Sequence, residues 1–152
     1  MGEGSDGGTE EIVELRCNID DMTAEDVGFA LERLYAAGAV EAFTQSAGMK
    51  KNRPGLLLTA LCRPEARAAV LRAMLTYTGT IGVREQVLTR YALARESGTA
   101  QTAFGPVRWK RSRGFGVEKF KWEHDDLERI AREKGMTPEQ VRKALDADGS
   151  AD

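Results

Sequence analysis

The order of its periodic segments constrains the fold of this chain more than any other feature. Strands show as alternating or continuous apolar runs, and helices show as apolar residues at helical spacing. The segments are, in order, strand 13–19, helix 27–35, strand 40–45, strand 56–62, a helix opened by Pro64 and strand 82–95. This is the order of a split βαβ unit. The sequence therefore predicts an α+β, ferredoxin-like βαββαβ core.

Local signals set the limits of the two predicted helices. Thr23 is placed to cap the first helix, and Gly38 follows its last apolar residue. Pro64 suits the first turn of the second helix, which Gly79 ends. We expect the second helix to bury one face, made of Val70, Leu71, Met74 and Leu75.

After residue 98 the pattern changes to that of a small sheet followed by helices. We expect a hairpin of strands 99–103 and 107–113 around Gly105-Pro106, then a short strand over 117–121. A third helix ends at Gly135, and Thr137 with Gln140 forms a capping box for the last helix. The predicted domains are a disordered Gly-rich tail (1–11), the ferredoxin-like domain (12–96), a C-terminal β-hairpin and helical subdomain (97–147) and a disordered tail (148–152).

Composition excludes several classes of protein. The chain has 152 residues, 41% of them hydrophobic and 30% charged, which is ordinary for a globular protein. Cys17 and Cys62 lie in apolar strand patterns and form no CxxC pair, so we expect buried free thiols. No apolar stretch reaches the roughly 20 residues of a membrane span, and residues 1–11 lack a signal-peptide pattern. We therefore expect a cytoplasmic protein.

Two short motifs carry the candidate chemistry. An acidic pair, Asp20-Asp21, ends the first strand, and a basic turn, residues 49–55, precedes the central strand. Carboxylates and cations at neighbouring strand ends can hold a divalent metal and a phosphate chain. The motifs therefore indicate a nucleoside triphosphate site without a P-loop. The competing interpretations are helix capping for the acids and a solvated surface turn for the cations.

The same motifs resemble the C-terminal half of the LarC family of nickel insertion proteins, over about residues 12–147. The matching strings are Asn18-Ile19-Asp20-Asp21-Met22, Met49-Lys50-Lys51-Asn52-Arg53-Pro54-Gly55, Thr80-Ile81-Gly82-Val83-Arg84, Arg90-Tyr91, Phe104-Gly105-Pro106-Val107-Arg108-Trp109-Lys110 and Lys121-Trp122-Glu123-His124-Asp125-Asp126. The last acidic motif of the family usually reads Pro-Glu-Tyr-Glu-Asp, so Trp122 and His124 depart from it.

The resemblance implies a function and a set of site residues. The family inserts nickel into pyridinium-3,5-bisthiocarboxylic acid mononucleotide, using CTP and Mg²⁺ or Mn²⁺, and acts as a nickel insertase of the lyase class. Catalytic roles are implied for Lys50, Lys51 and Arg53. Nucleotide contacts are implied for Asn18, Met49, Lys50, Lys51, Asn52, Arg53, Gly55, Arg84, Arg90 and Lys110. Metal ligation is implied for Asp20, Asp21, Glu123 and Asp126.

The resemblance also implies partners. In the family a His-rich segment and nickel delivery belong to the N-terminal half, and this chain begins where that half would end. One histidine and two separated cysteines cannot build a soft nickel site by spacing. We therefore expect the N-terminal half as a partner, a lactate racemase-type enzyme as client for the finished cofactor, and a homo-oligomer.

Two other functions are compatible with the sequence. Residues 108–122 interleave cations with aromatic side chains, a pattern typical of single-stranded nucleic-acid binding. The whole chain has a net charge of −2 and is therefore no general polyanion binder. A ferredoxin-like domain can also serve as an oligomeric ligand-sensing module.

Overall fold

The structure, a computed structural model, describes residues 7–149 and divides into two compact units. The N-terminal unit comprises residues 9–90, and the C-terminal unit comprises residues 91–149 with Gly7 and Gly8. The predicted disorder of residues 1–6 and 150–152 lies outside the described residues.

The N-terminal unit has the predicted split βαβ order. Its elements are β1 (Gly8–Ile19), α1 (Ala24–Ala36), β2 (Ala39–Met49), a 3-10 turn (Lys50–Asn52), β3 (Arg53–Cys62), a second 3-10 turn (Pro64–Ala66), α2 (Arg67–Tyr77) and β4 (Arg84–Ala92). The strands form one sheet in the order β2-β3-β1-β4, and β3 pairs antiparallel with both β1 and β2. The ferredoxin-like α+β prediction is confirmed.

Alternation along β1 builds the core of this unit. Leu15, Cys17 and Ile19 are at most 3% exposed and pack in one cluster with Leu34 of α1 and Met74 of α2. Burying an aliphatic side chain of this kind contributes roughly 1.5–3 kcal/mol. The apolar residues that alternate along β1 in the sequence are therefore the ones that face the helices in the structure.

Three details differ from the predicted elements. β1 begins at Gly8, inside the predicted tail; it pairs with β4 in the sheet, and Glu10 forms ion pairs with Arg63 and Arg90. The predicted strand 82–95 is divided, since β4 ends at Ala92 and another strand starts at residue 94. Leu75 is 44% exposed, so its predicted burial is wrong; the buried face of α2 is Val70, Ala73 and Met74, at helical spacing.

The C-terminal unit contains a three-stranded antiparallel sheet and two helices. Its elements are β5 (Ala94–Thr102), β6 (Gly105–Gly114), β7 (Val117–Trp122), α3 (His124–Lys134) and α4 (Pro138–Ala147), with strand order β5-β6-β7. The hairpin turn lies at residues 103–104 and not at Gly105-Pro106, because Thr102 pairs with Gly105. The predicted end at Gly135 and the Thr137–Gln140 capping box are confirmed.

Helices α3 and α4 pack against one face of this sheet. Val107, Leu127, Ile130 and Val141 are fully buried in one cluster with Trp122, which is 4% exposed. Between residues 7 and 149, no helix is long and apolar enough to cross a membrane.

Candidate functional site

Strand register brings the acidic pair and the basic turn to one edge of the N-terminal sheet. Ile19, the last residue of β1, pairs with Leu56 of β3, and Met49 of β2 pairs with Arg53 at the start of β3. Asp20 therefore follows β1 next to the first residues of β3. Arg53 Nη1 lies 3.5 Å from Asp20 Oδ2, which joins the two motifs directly.

The basic turn has an unusual backbone. Lys51 (φ 59°, ψ 29°) and Asn52 (φ 56°) are consecutive residues in the left-handed region. Asparagine adopts this conformation with little penalty, whereas a residue such as lysine pays about 1–2 kcal/mol there. Lys50 and Lys51 are exposed and have no ion-pair partner among residues 7–149. The fold thus holds two unpaired ammonium groups in a strained turn.

Two cavities open at this edge, and they share Asp20, Gly48 and Arg53. One, of about 570 Å³, is also lined by Asn52 and Gly55. The other, of about 490 Å³, adds the remaining predicted nucleotide contacts of the two motifs, Asn18, Met49, Lys50 and Lys51. Pockets of this size suit a small-molecule ligand. We refer to the two cavities together as the strand-end cleft.

The two carboxylates of the acidic pair do not converge. Asp20 lines the cleft, whereas the carboxylate of Asp21 lies against Gly79, where an added Cβ would be 2.8 Å from Asp21 Oδ1. Neither caps α1: the cap is Thr23, whose Oγ1 accepts a hydrogen bond from the backbone N–H of Asp26 at 3.1 Å. Mg²⁺ is often held by one or two carboxylates plus substrate phosphates. Asp20 alone fits that pattern.

Gly55, for which the resemblance implies a nucleotide contact, lines the cleft. A Cβ at Gly55 would overlap Met49 Sδ and lie 2.8 Å from the carbonyl oxygen of Ile19. Glycine is therefore needed there because the Met49 side chain and the end of β1 occupy that space.

The two arginines of β4 take different places. Arg90 donates from Nε and Nη2 to Glu10 Oε1, at 3.0 and 2.8 Å, so it anchors the start of β1. Arg84 is exposed at the start of β4. Neither lines the strand-end cleft, so their predicted nucleotide contacts receive no support from its lining.

The remaining predicted site residues belong to the C-terminal unit, and each is paired. Lys110 Nζ lies 2.7 Å from Glu123 Oε1, and this hydrogen bond holds the pKa of Glu123 below its ordinary value. Asp126 is 8% exposed and accepts from the backbone N–H of Arg108 at 2.8 Å and from its guanidinium at 3.0 and 2.9 Å. The guanidinium lowers the pKa of Asp126, which joins α3 to β6.

The described residues hold no cluster suited to a soft metal. Within residues 7–149, no three His, Cys, Asp or Glu side chains converge on one point. His124, the only histidine in the sequence, has its Nε2 3.0 Å from Glu128 Oε1 on the exposed surface of α3. Cys17 and Cys62 are buried and free, as predicted.

A family profile and several named relatives match most of this chain. The profile of the nickel insertion protein family matches residues 2–142. The chain belongs to the nickel insertion protein family. A relative from Acetivibrio thermocellus, named pyridinium-3,5-bisthiocarboxylic acid mononucleotide nickel insertion protein, is 38% identical over 136 residues, which are 90% of this chain and 33% of that protein. The predicted LarC resemblance is confirmed.

A second relative and a solved structure support the same family. A relative from Cyanothece sp., also named for nickel insertion, is 35% identical over 93% of this chain and 35% of its own length. Among solved structures, the apo C-terminal domain of LarC, a cyclometallase involved in synthesis of the NPN cofactor of lactate racemase, matches with a TM-score of 0.80 and 29% identity, over 93% of this chain and 99% of that one. The chain spans about one third of the length of the curated relatives it matches.

Sequence reasoning missed several contributors to the site. Ser46, Gly48 and Pro54 line the cleft. Outside the cleft, the ion pair of Glu10 with Arg90 was also missed. The alternation of β2 places Ser46 and Gly48 on one face, but nothing in their types marks them as functional. The pairing of Glu10 with Arg90 spans 80 positions and needs the sheet order to be seen.

Proposed function

We propose that this chain is the CTP-binding part of a nickel insertion system. In this proposal, CTP and Mg²⁺ or Mn²⁺ support insertion of nickel, the substrate ion, into pyridinium-3,5-bisthiocarboxylic acid mononucleotide to form the nickel-pincer nucleotide. The family and the LarC domain match support the nickel insertion role. The observation that carries the CTP part is the strand-end cleft, where Asp20 meets a turn with two unpaired lysines.

Charge explains what each side chain of the cleft would do. A triphosphate brings several negative charges, and Lys50 and Lys51 are unpaired cations at the cleft that would bind phosphate oxygens. Arg53 is oriented by Asp20 and offers a fork that matches two phosphate oxygens. Asp20 and the phosphates would together hold the divalent ion, which would neutralise charge on the phosphate chain. The same cations would stabilise a leaving pyrophosphate if CTP is cleaved.

The rest of the proposal concerns partners. Because the described residues bring no three metal-binding side chains together, nickel delivery falls to another part of the system, which we propose to be the N-terminal half found in the family. The finished cofactor would pass to a lactate racemase-type client. A homo-oligomer and the lyase class remain part of the same proposal.

Calorimetric titration with CTP tests the nucleotide role. We expect wild-type protein to bind CTP more tightly with Mn²⁺ than without it, and to prefer CTP to ATP and to a short RNA. Asp20→Asn should remove most of the Mn²⁺ dependence, because it removes the cleft carboxylate. Glu32→Gln, which removes an exposed carboxylate of α1 outside the cleft lining, is the matched control. Equal affinity with and without Mn²⁺ in the wild type would contradict the proposal.

A further inference from the structure

The C-terminal sheet has one face that does not pack on helices. Trp109, Phe120 and Trp122 belong to the side that packs in the hydrophobic cluster with α3 and α4. Side chains alternate between faces along a strand, and paired residues share a face. The register therefore places two cross-strand rows on the other face, Arg95–Ser112–Lys119 and Ser97–Lys110–Lys121. We call these six residues the cationic face.

Its charges are poorly compensated. Lys110 and Lys121 lie directly opposite each other on β6 and β7, an arrangement of like charges that destabilises a sheet. Lys110 is paired with Glu123, whose carboxylate also attracts Lys121 without forming an ion pair with it. Arg95, Lys119 and Lys121 have no ion-pair partner within residues 7–149, and Glu96 is the one carboxylate in the lining of the cavity over this face.

The three arginines Arg108, Arg111 and Arg113 of β6, in contrast, are all in ion pairs. Arg108 is held by Asp126, and both Arg111 and Arg113 are held by Glu118. Unpaired cations on the sheet are thus concentrated where the cavity lies. A bound anion would relieve the repulsion between Lys110 and Lys121, which gives this face a physical preference for an anionic ligand.

The dimensions fit one phosphate-bearing small molecule. The cavity has a volume of about 780 Å³, within the roughly 300–1,000 Å³ of small-molecule sites. Neighbouring strands lie about 4.8 Å apart and successive same-face residues about 7 Å apart, so long cationic side chains from both rows can reach one phosphate group. Ser97 and Ser112 add hydroxyl groups that can donate to phosphate or ribose oxygens.

The placement of the aromatic side chains argues against single-stranded nucleic acid. Stacking of bases requires exposed rings on the binding surface. Trp122 is 4% exposed and meets Phe120 edge to face, and Arg111 covers the rings of Trp109 and Phe120 at 5.5 and 5.6 Å. The fourth ring of residues 108–122, Phe115, is 54% exposed and lies edge to face with Tyr91 at 5.8 Å. Three of the four rings are thus covered within the unit, and one exposed ring does not make a stacking surface for successive bases.

We propose that the cationic face binds the 5′-phosphate of the pyridinium mononucleotide substrate. The proposed reaction has two phosphate-bearing reactants, and residues 7–149 hold the strand-end cleft in one unit and the cationic face in the other. Only the identity of the ligand rests on the proposed function; anion binding rests on the cationic face itself. The strand-end cleft and the cationic face then serve CTP and the mononucleotide respectively.

The test uses nicotinic acid mononucleotide, a stable pyridinium ribonucleotide monophosphate, as the probe in calorimetric titration of the whole chain. We expect wild-type protein to bind it and to ignore the dephosphorylated riboside. The double variant Lys119→Gln/Lys121→Gln should weaken binding about 4- to 25-fold, two- to fivefold for each exposed charge pair lost. Mn²⁺-dependent CTP binding should change less than twofold, and Arg142→Gln, on α4, should change neither.

Each other outcome has a defined meaning. No binding of the probe by wild type, unchanged affinity in the double variant, or preference for a short single-stranded oligonucleotide would overturn the inference. Equal loss of CTP and probe affinity would show a single shared site and overturn it too. Binding of the probe that depends on Lys119 and Lys121, in a protein that fails to bind CTP, would refute the proposed function and leave the phosphate site standing. If the double variant no longer shows the circular dichroism spectrum of the folded protein, Arg95→Gln tests the same face independently.

Discussion

Replacing Lys51 with glycine separates the backbone cost of the basic turn from the charge that the turn carries. Lys51 has φ 59°, and its side chain is exposed without an ion-pair partner in the described part of the chain. Relief of the left-handed conformation gains about 1–2 kcal/mol. Glycine gives back about 0.5–1 kcal/mol through the greater entropy of the unfolded chain. We therefore expect Lys51→Gly to raise the free energy of unfolding by about 0.75 kcal/mol, the difference between the midpoints of the two ranges.

The same variant should bind CTP less well. Loss of one charge-assisted phosphate contact costs roughly 1.5–3 kcal/mol, and cytidine, which lacks phosphates, should be unaffected. Urea denaturation measures the first effect and calorimetric titration the second. Lys51→Ala, which loses the charge and keeps the strain, should weaken CTP binding without the gain in stability. A Lys51→Gly protein that is both more stable and unchanged in CTP affinity would refute the role of this ammonium group.

Two further predictions concern the C-terminal unit and nickel. Asp126→Ala should cost roughly 1.5–3 kcal/mol of unfolding free energy, whereas Glu133→Ala, at an exposed site on the same helix, should change it by less than about 0.5 kcal/mol. Because the pKa of Asp126 in the folded protein lies below its ordinary 3.8, its contribution to the free energy of unfolding is complete above that pH and is lost as the pH falls further. Urea titrations down to pH 3 should therefore show a shrinking difference in stability between wild type and Asp126→Ala. A difference that stays constant would contradict this. With precursor, CTP and Ni²⁺, the chain alone should leave a nickel-dependent apo-racemase inactive until the N-terminal half is added; activation by the chain alone would contradict the division of labour.

The elements were predictable because local and long-range signals agree. Thr23 caps α1 and Thr137 caps α4, each with the partner that the sequence supplies. The alternation of β1 selects the face that the core needs. Where two signals competed, the outcome depended on pairing: Gly105-Pro106 has the composition of a turn, but cross-strand pairing of Thr102 with Gly105 moved the turn two residues back.

The arrangement of the site was less predictable. Asp20 and Asp21 are adjacent in sequence and lie in the bend that follows β1. The backbone torsions of that bend decide where each side chain lies, and nothing in the string shows that Asp20 lines the cleft while Asp21 lies against Gly79. Lysine gives no sign of a left-handed backbone, so the strain at Lys51 becomes visible only in the structure. The contact of Asp126 with Arg108 spans 18 positions and depends on where α3 meets β6.

The register of β1 and β3 also decides how the chain behaves toward thiol chemistry. Cys62 pairs with Val13, four residues along β1 from Cys17. At about 3.4 Å per residue the two cysteines are about 14 Å apart, beyond the roughly 7 Å that a disulfide can bridge. Burial raises the pKa of both thiols, and these are the only two in the sequence. Neither native thiol should therefore react with labelling reagents in the folded protein. A single cysteine introduced on the surface would then be the one position that a thiol-reactive fluorophore modifies.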